Sequence, residues 1–268
     1  MMLCAAVYNV DDVRDTGNSY KQPGLFVSLG GDRELYVQIA DPLHPDVWKT
    51  YKLIYQEKRN STSQPFGLPN INPEEGFDGF LFEEVDKNKH NAEKEIWAVL
   101  PGNSYNPGDW ASLGSIILSH KSGQAEEARK FAEEIRTRVG NRELNVAGHS
   151  KGIWNALEIA TLFDNSHTIL VDGFQPNAAL EAAQQSGQHN IDSDAILSVE
   201  SSGSVKYALS HQPKFGKVAQ VEVHGDPKTK HNPYAMAQAL KGDLIKAQRS
   251  ADGAAVQHHP PYTQAVHG

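Results

Sequence analysis

The sequence predicts an α/β protein whose sheet is mostly parallel and flanked by helices. Three observations predict it. Short β-prone runs alternate with helical stretches from Gly79 to Lys246. The strongest helical stretch, Ser122 to Val139, carries Ala125, Ala128, Phe131, Ala132, Ile135 and Val139 at the 3, 4 spacing of an amphipathic helix. A glycine-flanked turn, Gly148-His149-Ser150-Lys151-Gly152, then joins a strand to a helix, and strands that alternate with helices in this way build parallel sheets. At 268 residues and 39% hydrophobic content the chain fills one large domain with a core that needs neither disulfides nor metals.

Taken in order, residues 1–75 read as an irregular N-terminal extension packed on the core. Leu25 to Leu29 and Leu35 to Ile39 are short apolar runs between Gly and Pro, and Val47 to Tyr55 suits a helix. Asn60 to Glu75, with Pro65, Pro69 and Pro73, reads as a long surface connection. Residues 76–248 form the expected catalytic core. Gly79 to Val85 and Glu95 to Leu100 are two β-prone runs separated by a polar stretch, which suggests a hairpin. Leu144 to Ala147 is a strand, Ile153 to Phe163 a helix, and Thr168 to Val171, Ala195 to Val199 and Val218 to Val223 are further strands. His224 to His231 is a loop, Pro233 to Lys246 a helix, and residues 249–268 a polar tail.

The turn at Ser150 carries chemistry. A serine hydroxyl is a poor nucleophile until a base takes its proton, and the carbonyl it attacks needs donors aimed at the forming oxyanion. A sharp strand-to-helix turn meets the second need by pointing the N–H of the residue after the serine, here Lys151, at that oxygen, and this is the nucleophile elbow of the α/β-hydrolase fold. The competing reading is that the glycines serve only the turn and Ser150 caps the helix.

Residues 79–155 resemble the class 3 lipases and the related bacterial Mbeg1-like hydrolases. The resemblance rests on the strand "IWAVLPGNS", the pair Asp109-Trp110, an amphipathic helix and then "LNVAGHSKG". It extends over roughly residues 77–240, with the elbow its specific motif. The lipases carry Arg-Gly-Thr where this chain has Pro101-Gly102-Asn103, so the glycine matches and its neighbours differ. Lys151 after the serine is closer to the Mbeg1-like group. By this resemblance Asn103 takes the place of the second oxyanion donor. Asp109 to Ser119, with Trp110, Leu113, Ile116, Ile117 and Leu118, falls where the class 3 lid lies, although a buried core helix would look the same.

The triad of this fold runs nucleophile, acid, base along the chain, so the base should follow the last strand. His231 fits, and Lys230-His231-Asn232-Pro233 resembles the Gln-His-Asp-Pro segment of the Mbeg1-like hydrolases. His224 is the rival, and His211 comes early. The acid stays open. Related families place an Asp where this chain has Ser202, which leaves Glu200, the earlier Asp172 or the later Asp226. Asp172 is preferred, because a carboxylate at a strand end can be held rigidly beneath the histidine. Its run Val171-Asp172-Gly173-Phe174 loosely echoes the Gly-Leu-Asp-Pro run of the pancreatic-type lipases.

The resemblance implies a serine hydrolase acting on carboxylic esters of acyl lipids, a lipase or phospholipase A1 by type, meeting its substrate at a membrane surface and needing no cofactor or metal. A small-ester hydrolase or thioesterase would share the triad, and a non-catalytic interaction module on the same scaffold would lack a working acid. A net charge of −8 without a basic stripe argues against nucleic acid. His258, His259 and His267 match no zinc spacing. The one cysteine, Cys4, and the acidic start of the chain suggest a cytoplasmic protein or one exported without a classical signal peptide. An exported antibacterial effector of this kind would have an immunity protein or a chaperone as partner.

Overall fold

A computed structural model of the chain describes residues 1–58, 77–102, 124–163, 166–173, 193–202 and 216–257, the last ten of these by their backbone alone. Among them a mixed sheet of ten strands runs in strict chain order. The first six strands are β1 (Tyr20–Gln22), β2 (Leu25–Leu29), β3 (Leu35–Ala40), β4 (Trp48–Lys58), β5 (Asp78–Glu84) and β6 (Ile96–Leu100), and each pairs antiparallel with the next. From β6 onward, β7 (Leu144–His149), β8 (Ser166–Val171), β9 (Ile196–Ser201) and β10 (Lys217–Val221) pair parallel.

The expected mostly parallel sheet is therefore corrected to one divided at β6. The N-terminal extension is not irregular, since four of its runs are strands of the same sheet. Val47 to Tyr55, expected as a helix, lies mostly in β4: Trp48, Thr50, Tyr51, Ile54 and Tyr55 are aromatic or β-branched, and the strand is paired on both sides.

Two helical layers cover the sheet. Before β1 come α1 (Met2–Ala6) and α2 (Val10–Thr16), joined by a turn of 3-10 helix at Val7–Asn9. Leu3, Cys4, Val7, Val10 and Val13 recur at helical spacing and bury against Val99, Ala147, Val171 and Val199. On the opposite face lie α3 (Ala125–Val139), between β6 and β7, and α4 (Gly152–Ala160), between β7 and β8. Here Phe131, Ile135, Ile153 and Leu157 pack on Ala98, Leu100, Val146 and Leu170. Each such fully buried side chain contributes roughly 1.5–3 kcal/mol. Both crossovers add a parallel strand on the same side of the last, and a constant hand of crossover keeps their helices on one face.

Near the end of the chain, α5 (Pro227–Lys230) and α6 (Pro233–Gln257) follow β10, and α6 returns to the α1 face through Met236. The helix expected over Pro233 to Lys246 continues to Gln257, into the expected tail, whose remaining residues 258–268 lie outside the described residues. No helix among the described residues is long and apolar enough to cross a membrane.

Candidate active site

Ser150 leaves β7 with φ 56°, left-handed backbone that a non-glycine residue adopts at a cost of roughly 1–3 kcal/mol. Its N–H continues the ladder by donating to Val171 O at 2.9 Å, and α4 begins two residues later. The tightness of this turn explains Gly152. A Cβ there would sit 2.3 Å from Leu100 O and 2.4 Å from Pro101 O, so only glycine lets the start of α4 pass the end of β6.

One strand over, Asp172 repeats the device. It has φ 43° and donates its N–H to Val199 O at 2.9 Å. The bend turns its carboxylate under the site, where the residue is 1% exposed. Oδ1 accepts from Ser201 N at 3.3 Å, and Oδ2 lies 2.5 Å from His231 Nδ1. The other ring nitrogen of His231, Nε2, lies 2.9 Å from Ser150 Oγ.

Proton positions follow from these partners. A carboxylate only accepts, so His231 carries its hydrogen on Nδ1 and presents a lone pair at Nε2 to the serine hydroxyl. The arrangement can move the Ser150 proton to His231 while Asp172 stabilises the imidazolium that forms.

The end of β6 closes the other side of the serine. A Cβ on Gly102 would lie 2.7 Å from Ser150 Cβ and 3.0 Å from the Tyr8 hydroxyl, so glycine here lets the chain leaving β6 abut the serine and the phenol together. Gly102 N donates to Tyr8 Oη at 2.7 Å, and the same hydroxyl is 2.6 Å from His149 Nδ1. His149 Nε2 is in turn 2.8 Å from the backbone oxygen of His231. The two imidazole centroids are 4.8 Å apart.

Lys151 stands directly after Ser150, at the residue before α4, with helical backbone. Its side chain goes to the opposite face of the sheet from His149. There the ammonium donates to Gln124 Oε1 at 2.9 Å, and Asn155 Nδ2 shares that oxygen at 3.0 Å. Burial pushes the Lys151 pKa down from 10.5 to about 7, with Asp78 opposing the shift.

Of the residues singled out from the sequence, Ser150, His231 and Asp172 come together. Glu200 does not join them: it alternates with Val199 along β9, which places it on the other face from the α1 core. Asp226 is exposed and ends its role locally, accepting from Thr229 N at 2.7 Å, and that backbone hydrogen bond holds its carboxyl below the usual range. His224 is exposed. Asn103, the segment Asp109 to Ser119, His211 and the histidines His258, His259 and His267 lie outside the described residues. Among the described residues no cluster of His, Cys, Asp or Glu is placed to hold a metal ion.

Sequence reasoning left Tyr8 and His149 without a role. His149 stands inside the motif, but nothing in the motif says where its ring points. Tyr8 was concealed because residues 1–13 were not read as helical, although Leu3, Ala6, Val7, Val10 and Val13 have that period.

An apolar cavity of about 250 Å³ lies between α1, α6 and the sheet, lined by Met2, Ile39, Trp97, Ile169, Leu197 and Leu240 among others. Trp97 and Leu197 stand second in their strands, so the cavity extends beneath the amino ends, whereas Ser150 sits beyond the carboxyl end of β7. In parallel sheets ligands bind beyond the carboxyl ends, where Ser150, Asp172 and Gly102 all lie. No protein-family model matches the chain, and no curated protein matches it in sequence.

Proposed function

We propose that this protein is a serine hydrolase that cleaves carboxylic esters through an acyl-enzyme on Ser150. The observation that carries the reading is the single imidazole of His231 bridging Ser150 Oγ at 2.9 Å and Asp172 Oδ2 at 2.5 Å. Two strained residues at the ends of adjacent parallel strands support it, since left-handed non-glycine backbone persists where surroundings enforce it and clusters at active sites.

In the first half-reaction His231 Nε2 takes the serine proton as Oγ bonds to the ester carbonyl carbon. The Lys151 N–H faces the oxyanion, and Asn103 supplies the second donor by its resemblance to the class 3 position. The imidazolium returns its proton to the leaving alcohol as the C–O bond breaks. Water, deprotonated by the same nitrogen, then releases the acid and restores Ser150.

Acyl lipid or phospholipid is the substrate class that the resemblance implies, with the protein working at a membrane surface. A panel of p-nitrophenyl esters of increasing chain length, set beside phospholipid vesicles, ranks these against small esters and thioesters.

The deciding experiment is labelling with a fluorophosphonate probe, which reacts with an activated serine. The parent should label at Ser150 and Ser150→Ala should not, with ester turnover lowered by roughly 10³-fold or more. A parent that stays unlabelled, or undiminished turnover by Ser150→Ala, overturns the reading.

A further inference from the structure

We propose that Tyr8 and His149 are positioning residues that lock the end of β6 to the backbone of the catalytic histidine, so that the N-terminal helical segment is a working part of the active site. The proposal rests on the hydrolase reading above. Its basis is a chain of hydrogen bonds whose directions follow from its two ends when the His149 ring carries one proton. The His231 carbonyl only accepts, so His149 carries its hydrogen on Nε2, which lies 2.8 Å away. Nδ1 of the neutral ring is then an acceptor, and the Tyr8 hydroxyl at 2.6 Å donates to it. With its proton committed, the phenol oxygen accepts the Gly102 N–H at 2.7 Å.

The chain therefore runs from Gly102 N–H to Tyr8 to His149 to the His231 carbonyl, and its ends fix that direction, since an amide N–H only donates and a carbonyl only accepts. It joins segments far apart in the sequence. Gly102, two residues past β6, abuts Ser150 Cβ, and residue 103 follows it directly. His231 is the base. A displacement of either by a fraction of an ångström misplaces a reacting group, which is costly in rate even where binding is unaffected.

Packing alone does not account for Tyr8. The residue is 42% exposed while its hydroxyl reaches inward, and its ring stands edge-on to that of His149 with centroids 5.7 Å apart. Removing the hydroxyl should thus leave the fold intact and free the Gly102 N–H. His149 is buried, and glutamine offers the same pair of functions there, an N–H for His231 and an acceptor for Tyr8.

The test compares the parent with Tyr8→Phe, His149→Leu and His149→Gln in the full chain, measuring the rate of fluorophosphonate labelling, kcat and KM on a soluble ester, and thermal unfolding. Tyr8→Phe should stay folded, label about tenfold more slowly and lose kcat with KM within about twofold, as expected when the two hydrogen bonds of the hydroxyl beside the site are lost. His149→Leu should lose more, and His149→Gln should recover most of that loss. Parental labelling by Tyr8→Phe, a change confined to KM, or equal deficits in the two His149 variants would overturn the proposal while leaving the triad in place. A parent that does not label removes the hydrolase reading and the positioning role together. If His149→Leu fails to fold, Tyr8→Phe decides.

Discussion

His149 and Lys151 flank the same serine and enter opposite faces of the sheet, yet the protein treats them in opposite ways. On the His149 side the hydrogen bonds link backbone groups, a phenol and an imidazole, and the chain finishes at the backbone carbonyl of His231. On the Lys151 side a side chain that is charged in water is driven between β7, α3 and α4, where burial depresses its pKa to about 7. The difference teaches that the elbow is built asymmetrically. One flank organises groups that act, and the other stabilises the turn at an electrostatic cost that varies with pH.

The largest effect expected lies on the acting flank, at the carboxylate that orients His231. Asp172→Asn keeps the shape of the side chain but allows its amide to donate, which favours the wrong tautomer of the ring. Labelling and ester turnover should fall by roughly 10³- to 10⁴-fold with the fold unchanged by circular dichroism. Glu200→Gln, on the other face of β9, should stay within a fewfold of the parent. Parental activity of Asp172→Asn, or a loss confined to Glu200→Gln, would move the acid to β9 and break the two-flank picture.

Next in size is the backbone of the supporting flank. A methyl group at residue 152 would lie 2.3 Å from one carbonyl oxygen of β6 and 2.4 Å from the next, so Gly152→Ala must push α4 off the sheet. A loss of about 3 kcal/mol in unfolding free energy by urea titration is expected. Gly242→Ala makes the control, because a methyl group there meets nothing within 4 Å and the residue lies inside α6. That substitution should stabilise by about 0.5–1 kcal/mol. Equal stability of the two variants would mean that the turn is not tight.

The same asymmetry separates what could be read from the sequence from what could not. Ser150 was legible because strand, glycine-flanked turn and helix are local, all within residues 144–160. His231 followed from chain order, and Asp172 from its place at a strand end. The choice between Asp172 and Glu200 rests on backbone direction: a positive φ swings the first under the histidine, while strand alternation sends the second to the far face. Neither is a property of residue type. Tyr8 illustrates the harder limit, since its partner Gly102 is 94 residues away and nothing between them marks the pairing. The four strands before β5 were missed or misread for a related reason. β1 has only three residues, and β4 gains its stability from two neighbours rather than from an alternating pattern of its own.

The last effect, small within any one pH unit, tests the cost of the supporting flank through its proton. In the unfolded chain Lys151 holds its proton up to about pH 10.5, whereas in the folded protein it gives it up near pH 7. Between those values the unfolded state binds the extra proton, so stability must rise with pH, by at most about 1.4 kcal/mol per pH unit from this group. Below about pH 7 both states are charged and the cost of the buried ammonium is paid in full. Lys151→Met abolishes this contribution, and its electrostatic neighbour Asp78 is a carboxylate whose own range lies below the window measured. The difference between the unfolding free energies of parent and variant, measured by urea titration from pH 6 to pH 10, should therefore shift steadily in favour of the parent as pH rises. Its constant offset reflects packing and the polar atoms of Gln124 and Asn155 left behind, so the slope is the diagnostic quantity. A difference independent of pH would show that Lys151 keeps its charge in the folded state, and the two flanks of Ser150 would then be alike in stability against pH.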